Sequence, residues 1–482
     1  MTVSSGDFGI PGSRRAARLA KRQAAWKPAF MPFVVTALLA YALSSSLYYA
    51  RTTLMGWVVS VLWTLPIVSS VVGITGALLT RRRIGRQRDW VPAEPALHDR
   101  LIVLVPTIGR HDTYPALERS VLSYCEFMPA WFPDLRIEIL TEEGCEAGQR
   151  IDALAALSPL IRVVTVPKAY RTPNGTRFKA RANHYSHELR IAEGEAVDDV
   201  WVLHMDDDTG VGPDTAQQVA RFVNAQRRAG AEAKHLAQGM LTYPRENAVN
   251  RLIWLADAIR PADDIARFAV LTGGGTPLVG LHGELLLLRA SVEATIGWDF
   301  GPDSICEDAH FALIFSSRYR GRSDWFSGRS YGASPATWRD FLKQRERWSW
   351  GLIGLAFNPT LPRRSRALLM YSVITWVIGP FQHVAVILAA GALLGDLNTS
   401  PVTPWILPLW AVTMGYALWM YWEGLRINAT VSAGGRRLWW EPVALVVLMP
   451  FFALWEAAGS FKGLLRYLRR TENQFVVIAK PA

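Results

Sequence analysis

Long apolar runs lie on both sides of a more polar centre in this 482-residue chain. Two precede the centre and three follow it, over residues 29–50, 53–80, 367–395, 403–425 and 439–461. Each run is long enough for a helix that crosses the roughly 30 Å hydrocarbon core of a bilayer. The centre, residues 81–365, has no uninterrupted apolar run of that length. The pattern therefore predicts a soluble domain between two groups of membrane helices.

Within the centre, short aliphatic runs alternate with stretches of helical character. The predicted strands cover residues 101–107, 136–140, 162–166 and 200–205, and the predicted helices include 178–190 and 214–229. Buried strands that alternate with helices indicate an α/β domain with a mostly parallel sheet, covered on both faces. Ligands of such sheets bind at the carboxyl ends of the strands. The glycine motifs of dinucleotide-binding and P-loop proteins are absent, which argues against both classes.

Positively charged residues predict how the chain faces the membrane. Arginine and lysine are frequent before the first apolar run, after the second and in the C-terminal tail, whereas the link 396–402 has neither. Positive charge favours the cytoplasmic side, so we expect the N-terminus, the centre and the tail to be cytoplasmic. An inside tail requires an even number of crossings after the centre, although three runs are present. Either 439–461 is re-entrant or a hairpin at Pro450, or part of 367–395, which Pro380 divides, lies in the interface.

These features predict five consecutive parts of a multi-pass plasma-membrane protein. They are a basic N-terminus (1–28), two membrane helices (29–80), the cytosolic domain ending in an interfacial helix (81–365), the C-terminal membrane helices (366–461) and a cytosolic tail (462–482). The net charge is +11, and its cations cluster beside apolar runs, which favours lipid headgroups over nucleic acid as the partner. The three cysteines are far apart in sequence and indicate neither a disulfide framework nor a cysteine zinc site.

Three consecutive carboxylates, Asp206, Asp207 and Asp208, follow the predicted strand 200–205. Adjacent like charges repel one another unless a cation lies between them. Asp206 and Asp208 are alternate residues at a strand end, so both side chains can face one site and hold Mg²⁺ or Mn²⁺ through oxygen. A solvated acidic turn is the alternative. The buried strand that precedes the cluster favours the metal site.

A second acidic pair, Glu307 and Asp308, opens a predicted helix within "ICEDAHFAL". Acidic residues are favourable at a helix N-terminus through the helix dipole alone, so a purely structural role is one interpretation. The other interpretation is a general base at the rim of a pocket.

Two further motifs carry residues suited to sugar and phosphate chemistry. Gln344, Arg347 and Trp348 form a Q-x-x-R-W pattern on one predicted helix, where the arginine suits a pyrophosphate and the tryptophan a sugar ring. An interfacial amphipathic helix explains the same residues. His282 and Gly283 lie in "GLHGE", where the glycines permit close backbone approach; a structural histidine is the alternative.

The order of these motifs resembles that of the membrane-embedded glycosyltransferases of family 2. A D-x-D pattern, a glycine-rich turn, an E-D pair, Q-x-x-R-W and then membrane helices follow one another, and "FKARANH" is similar to the K-A-x-A-x-N stretch of that family. The closer resemblance is to the egghead-type β-1,4-mannosyltransferases. It rests on "QGMLTY", "LADAIRPADDIARF", "GLHGE", "CEDAHFA" and "SPATWRDFLKQRERW". The resemblance implies a GT-A (Rossmann-like) domain between N-terminal and C-terminal membrane helices.

The resemblance also implies roles for the candidate residues. Asp206 contacts the nucleoside side, Asp208 ligates Mg²⁺ or Mn²⁺, and Asp308 beside Glu307 takes the proton from the acceptor hydroxyl. The expected nucleotide and donor contacts are Thr107, Glu142, Glu143, Lys179, Asp206, Asp207 and Arg347. The expected acceptor or sugar contacts are His282, Gly283, Gln344 and Trp348.

The function implied by the resemblance is inverting transfer of mannose from GDP-mannose to a lipid-linked or glycolipid acceptor, which forms a β-1,4-mannoside. A processive polysaccharide synthase of the same superfamily is the nearest alternative and differs in the size of its product. A transporter or sensor with a cytosolic nucleotide-binding domain is a more distant one. That class places ionisable residues within its spans, whereas the runs 29–50 and 367–395 contain no Asp or Glu and no Lys or Arg.

Overall fold

A mixed eight-stranded sheet forms the centre of the part of the chain that the structure describes. The structure is a computed structural model and describes residues 26–46, 61–90, 94–379, 381, 407–435 and 437–470. The strands are β1 (Arg100–Pro106), β2 (Leu135–Glu142), β3 (Ile161–Val166), β4 (Val200–His204), β5 (Gly210–Val211), β6 (Leu236–Met240), β7 (Leu286–Arg289) and β8 (Ser323–Tyr331). Their order across the sheet is β3-β2-β1-β4-β7-β6-β8-β5.

The α-helices, in chain order, are α1 (Met31–Ser46), α2 (Ile67–Trp90), α3 (Tyr114–Phe127), α4 (Gly148–Ala155), α5 (Phe178–Ala192), α6 (Pro213–Ala229), α7 (Arg251–Ala256), α8 (Ile259–Asp263), α9 (Ala269–Leu271), α10 (Ala290–Ile296), α11 (Glu307–Arg318), α12 (Trp338–Phe357), α13 (Arg363–Val377), α14 (Leu407–Val431) and α15 (Trp440–Leu468). A π-helical turn, Asp264–Phe268, joins α8 to α9. Short 3₁₀ turns cover Gly230–Glu232 and Arg245–Asn247.

The predicted strands form the parallel half of the sheet, β3-β2-β1-β4. Residues 101–105 of β1 are all fully buried. Leu101, Val103 and Val105 pack into one hydrophobic cluster, and Ile102 and Leu104 pack into another on the opposite face. Burial on both faces is why this strand is apolar at every position rather than alternating. The prediction of an α/β domain is confirmed.

The other half of the sheet has mixed directions. Strand β7 is antiparallel to both β4 and β6, β8 is parallel to β6, and β5 is antiparallel to β8. The acidic segment follows the carboxyl end of β4, which is the last strand of the parallel half and is hydrogen-bonded to β1. The sheet thus places Asp206–Asp208 where ligands of parallel sheets bind.

Two described helical segments, Val61–Ile84 and Trp440–Leu468, are long and apolar enough to cross a membrane, each with a mean hydropathy of 1.8. Only 22% and 28% of their most apolar windows are buried, unlike the core helix of a soluble protein. Val443, Val446 and Val447 are 57–68% exposed along α15. A continuous exposed apolar face of this kind indicates contact with lipid or with another protein.

The helix α15 bears directly on the topology left open by the sequence. It runs without interruption through Pro450, so the hairpin at that residue is wrong. The neighbouring helices and backbone adjustments can satisfy the carbonyl that a proline leaves unpaired within an apolar helix. Residues 382–395 of the run 367–395 lie outside the described residues, so the alternative for that run stays a prediction.

Helix α12 is attached to α15 along its length. Arg345 Nε donates to Glu456 Oε2 (2.7 Å), and Ser349 Oγ donates to the carbonyl of Ser460 (2.7 Å). One turn further, Arg466 Nη1 lies 3.1 Å from Glu346 Oε1. These contacts fix the helix that carries the Q-x-x-R-W motif against the apolar helix.

Candidate active site

A cavity of about 1470 Å³ joins the carboxyl ends of the parallel strands to the apolar helices. At the sheet end its wall includes Thr107 and the segment Asp206–Asp208. At the far end its wall includes Trp63, Trp410 and Met449. The cavity is therefore lined by carboxylates where it meets the sheet and mainly by aromatic and aliphatic residues, with Arg267 and Glu456 among them, where it meets the apolar helices.

The three consecutive aspartates have different surroundings. Thr107 Oγ1 donates to Asp207 Oδ2 (2.9 Å), whereas Lys179 Nζ pairs with Asp206 Oδ1 (2.5 Å). Asp208 is 4% exposed, and the hydroxyl of Thr209 lies 3.4 Å from its Oδ1. The strand end thus separates an aspartate paired with a lysine from one that is almost completely buried.

Lys179 enters the cavity at the beginning of α5. The preceding residue, Phe178, has a φ of 59°, a conformation that residues other than glycine seldom adopt. Lys179 Nζ also donates to the carbonyl of Gly283 (3.1 Å). Burial disfavours the ammonium charge, but the charges of Asp206 and Glu307 overcome this and raise the pKa of Lys179. The lysine is therefore a permanent cation at the acidic end of the cavity.

Gly283 lies where the two acidic motifs meet. A Cβ added to this glycine would be 2.8 Å from Lys179 Nζ, 3.4 Å from Asp308 Oδ2 and 3.9 Å from Asp206 Oδ1. The carboxylates of the strand end and of the E-D pair therefore face the same point. The absence of a side chain at Gly283 leaves that point open.

Glu307 and Asp308 form the first turn of α11 and line the cavity. The backbone N–H of Ala309 donates to Asp308 Oδ1 (2.7 Å), which leaves Oδ2 directed toward Gly283. Burial raises the pKa of both carboxyls, and the charge of Asp308 raises the pKa of Glu307 further, to about 7. Lys179 acts in the opposite direction on both. A carboxylate with a raised pKa in a cavity has the chemistry of a general base.

Glu284 is a site residue that the sequence analysis did not assign. It lines the cavity and accepts a hydrogen bond from Thr209 Oγ1. Burial and the charges of Asp206 and Asp208 raise the pKa of Glu284 to about 7, against the effect of Arg260. Its position directly after Gly283 in the motif "GLHGE" was the available signal.

This set of carboxylates fits a divalent cation. Asp206 and Asp208 both repel the charge of Glu284, so the described residues leave excess negative charge at this end of the cavity. Mg²⁺ and Mn²⁺ prefer oxygen ligands, which Asp206 and Asp208 supply. A bound divalent ion would remove the repulsion that raises the pKa of Glu284.

His282 is held by a buried carboxylate. Its Nε2 lies 2.6 Å from Asp264 Oδ1, and its ring packs against that of Phe268 at 4.2 Å between centroids. Asp264 and Phe268 begin and end the π-helical turn, a geometry that is frequent at functional sites. Burial opposes a charge on the imidazole, but Asp264 outweighs it and raises the pKa of His282. The cavity therefore has a histidine that is biased toward the cationic form.

The Q-x-x-R-W motif lies on α12, and Gln344, Arg347 and Trp348 all line the cavity. The guanidinium of Arg260 lies 4.7 Å from the centre of the Trp348 ring, and that of Arg345 lies 4.9 Å away. Arg345 also donates to Gln344 Oε1. Both arginines therefore contact the tryptophan ring, and Arg345 also contacts the glutamine carbonyl.

Arg260 and Arg345 were not assigned from the sequence. Both belong to stretches that carry the resemblance, "LADAIRPADDIARF" and "SPATWRDFLKQRERW", and charged residues within those stretches were the available signal. Both line the cavity, so they add positive charge between its acidic and apolar ends.

Glu142, the last residue of β2, and Glu143, the next residue, have different surroundings. Glu142 lines the cavity and accepts two hydrogen bonds from Arg181 Nη1, at 2.6 and 2.7 Å. Glu143 instead accepts from the backbone N–H of Lys168 (2.9 Å), outside the cavity wall. The geometry thus favours Glu142 over Glu143 as the nucleotide contact.

Comparisons with known proteins identify this region. Residues 201–423 match the model of the glycosyl transferase family group 2. The chain is 32% identical over 258 residues to the β-1,4-mannosyltransferase egh of Drosophila melanogaster, which is 53% of this chain and 52% of that protein. It is 30% identical over 234 residues to the β-1,4-mannosyltransferase bre-3 of Caenorhabditis elegans, or 48% and 49% of the two chains. The chain thus spans about half the length of the curated relatives that it matches.

The solved structures that match the chain have low sequence identity and low TM-scores. A mannosyltransferase of Pyrobaculum calidifontis, in complex with GDP-mannose and Mn²⁺, is 15% identical with a TM-score of 0.43 and covers 85% of this chain and 100% of that one. Residues 1–349 of TarS of Staphylococcus aureus are 11% identical with a TM-score of 0.34, covering 79% and 94%. The sequence matches show that residues 201–423 are similar to glycosyl transferase family group 2, and that about half of the chain is similar to the β-1,4-mannosyltransferases of Drosophila melanogaster and Caenorhabditis elegans.

Proposed function

We propose that the protein transfers mannose from GDP-mannose to a lipid-linked or glycolipid acceptor, with inversion, to form a β-1,4-mannoside. The observation that carries the proposal is the single cavity, which leads from the carboxylates around Gly283 to the apolar helices. Such a cavity suits a charged nucleotide sugar at one end and a lipid at the other. The similarity to two β-1,4-mannosyltransferases supports mannose as the sugar.

The donor diphosphate would lie at the acidic end of the cavity. A Mg²⁺ or Mn²⁺ ion held by Asp206 and Asp208 would supply charge neutralisation for the leaving diphosphate. Lys179 and Arg347 are two of the cationic residues that line the cavity, and cationic side chains stabilise a departing diphosphate. Thr107, Asp207 and Glu142 would contact the nucleoside side.

Asp308 would act as the general base. Its Oδ2 accepts the proton of the acceptor hydroxyl as that oxygen forms a bond to the anomeric carbon of mannose. The bond from this carbon to the diphosphate breaks, and GDP leaves with the electron pair. One displacement turns an α-linked donor sugar into a β-linked product. Glu307 would add negative charge beside Asp308. The acceptor sugar would be bordered by His282, Gly283, Gln344 and Trp348.

The acceptor would enter from the apolar end of the cavity. Trp63 and Trp410 stack there at 5.3 Å between centroids, beside the helices whose apolar faces are exposed. We place the protein as a multi-pass protein in the plasma membrane, with residues 81–365 on the cytoplasmic side. The support is the positive charge on both flanks of that segment.

The test is a donor screen on the purified, detergent-solubilised protein. GDP-mannose, UDP-glucose and UDP-N-acetylglucosamine are each incubated with a membrane lipid extract and Mn²⁺ or Mg²⁺, and the lipids are analysed by mass spectrometry. We expect a metal-dependent gain of one hexose from GDP-mannose alone. The Asp308→Asn variant is the matched control for protein-dependent transfer.

Other outcomes would replace the proposal. A ladder of products from any donor would show a processive synthase. Binding of the nucleotide sugar without either transfer or hydrolysis, in the presence of every lipid fraction, would favour a sensor or transporter.

A further inference from the structure

Three potential metal ligands lie together on α5, away from the aspartates of the strand end. His184, His187 and Glu188 each offer one ligand atom, and these atoms lie within 4.8 Å of one another. His187 Nε2 is 3.4 Å from Glu188 Oε1, and His184 Nε2 is 3.9 Å from the same oxygen. The spacing of three and four residues places all three side chains on one face of the helix.

The other nitrogen of each imidazole is already used, which orients both rings. His187 Nδ1 lies 2.9 Å from the backbone carbonyl of His184, which can only accept, so Nδ1 carries the proton. The lone pair of His187 is therefore on Nε2, the nitrogen nearest Glu188. His184 Nδ1 lies 2.6 Å from the hydroxyl of Tyr170. Histidine ligands of metals are usually held in this way through their second nitrogen.

The surroundings favour a cation over a simple ion pair. His184 and His187 are 8% and 4% exposed, whereas the Glu188 side chain is 50% exposed. A second carboxylate, Asp299, adds negative potential at His184. Two buried imidazoles and an exposed carboxylate that converge on one face of a helix form a ligand set for a cation.

We propose that His184, His187 and Glu188 form a binding site for a transition-metal ion of the zinc class. Imidazole nitrogen and carboxylate oxygen are both zinc ligands, with bonds of about 2.0–2.2 Å. Around a tetrahedral ion, such bonds place neighbouring ligand atoms roughly 3.3 Å apart. The 3.4 Å between His187 Nε2 and Glu188 Oε1 already has this value. A rotation of the exposed Glu188 side chain can shorten the 3.9 Å between Glu188 Oε1 and His184 Nε2. Water completes the fourth position.

This site differs in chemistry from the aspartates of the strand end. Imidazole selects zinc and its neighbours in the transition series, whereas carboxylates alone suit Mg²⁺ and Mn²⁺. The two are linked through α5, because Lys179 lies in the first turn of the same helix. A metal that bridges His184, His187 and Glu188 stabilises the next turns of that helix and thereby fixes the residue that pairs with Asp206.

The test is titration of the tag-free protein with Zn²⁺ in the presence of excess Mg²⁺, which occupies the aspartates. Isothermal titration calorimetry should give one zinc ion per chain. His187→Gln and Glu188→Gln should each weaken binding on the order of 100-fold or more, because each removes a ligand. Tyr170→Phe should weaken it about 10-fold, because it frees the His184 ring. Co²⁺ should give the intense absorption of a tetrahedral site in the wild type but not in His187→Gln.

Two controls distinguish this site from others. His98→Gln removes an exposed histidine and should leave zinc binding unchanged. Asp208→Asn should also bind zinc normally, whether or not it transfers sugar, so the result is independent of the proposed function. Because Glu188 is exposed, Glu188→Gln should keep the fold. It therefore tests the site even if His187→Gln, a change at a buried histidine, unfolds the protein. Equal zinc affinity in the wild type and in Glu188→Gln, or loss of zinc binding only in Asp208→Asn, would overturn the proposal.

Discussion

Two clusters of charged residues lie near the end of β4, and they are built differently. In the first, Glu293 accepts from Arg190 Nη2 (2.7 Å) and Trp298 Nε1 (2.7 Å), and its carboxylate lies 2.9 Å from His204 Nε2. In the second, the carboxylates around Gly283 face a cavity. Glu293 is 1% exposed, whereas the Asp206 side chain is 37% exposed.

Their pKa shifts have opposite signs. Burial disfavours the charge of Glu293, but Arg190 and His204 overcome it and hold the pKa of that carboxyl below its usual range. Burial raises the pKa of Asp308 and Glu307, since Lys179 compensates them only in part. A cluster that stabilises the fold satisfies its charges internally, whereas one that binds ligands leaves charge for them to satisfy.

The largest expected effect is that of Asp308→Asn on turnover. Loss of a general base lowers the rate by about 10²- to 10⁴-fold. The thermal midpoint should stay equal or rise, because the substitution removes a carboxylate whose charge burial disfavours. Initial rates of mannosyl transfer and thermal unfolding of the same preparation measure both. Asp303→Asn, an exposed change shortly before α11, is the matched control; unchanged turnover in Asp308→Asn would reject Asp308 as the base.

Glu293→Gln should lower the stability without lowering the turnover, which is the reverse of the effect of Asp308→Asn. The substitution removes the nearer carboxylate of Arg190, which keeps only Glu138 at 3.6 Å, and breaking a buried ion pair in this way costs up to about 3–5 kcal/mol of stability. The rate per folded molecule should remain that of the wild type, because Glu293 lies outside the cavity wall. Denaturant unfolding in detergent and active-site-normalised rates test this. Glu232→Gln, with a side chain 90% exposed, should change neither; a rate loss without destabilisation would contradict the distinction between the clusters.

The smallest expected effect concerns pH. Between the ordinary glutamate value of 4.5 and about 7, lowering the pH protonates Glu284 and Glu307 in the folded protein only, so their contribution to stability increases as the pH falls. Transfer should slow as the pH falls through the raised pKa of Asp308, because Asp308 then loses its basic form. Glu293, whose pKa is lowered, loses its stabilising contribution only at more acidic pH.

Substitution of Lys179 sharpens this test. Because Lys179 lowers the pKa of Asp308, Lys179→Met should move the acid limb of the rate profile to higher pH. Profiles of kcat against pH for both proteins measure the shift. A limb that stays in place would mean that a group other than the cavity carboxyls controls the rate.

The sequence predicts the parallel half of the sheet better than the mixed half. Strands β1 and β4 are apolar at nearly every position because both faces are covered, so composition alone marks them. Strands β6 and β8 bury Gln238, which donates to the carbonyl of Glu284, and Arg329, which pairs with Asp214. Polar residues that are satisfied only by distant partners leave no local periodic pattern.

The same limit applies to the site. Asp206, Asp208 and Asp308 belong to motifs with recognisable spacing, so they could be selected before the fold was known. Glu284 and Arg260 lie in stretches that carry the resemblance, but their position in the site depends on which strands and helices meet around the cavity. The meeting of Lys179, Asp206 and Asp308 at Gly283 joins residues up to 129 positions apart, and only the tertiary structure brings them together.

The attachment of α12 to α15 has a consequence for the height of the active site above the membrane. Arg345 to Glu456 and Arg466 to Glu346 tie the two helices at separate levels, so they translate and tilt as one unit. If a bilayer holds α15, as we propose, the residues Gln344 to Trp348 keep a fixed height above its hydrocarbon core. The two helices then fix the distance between the membrane surface and Asp308. This distance would set the length of acceptor headgroup that can reach Asp308.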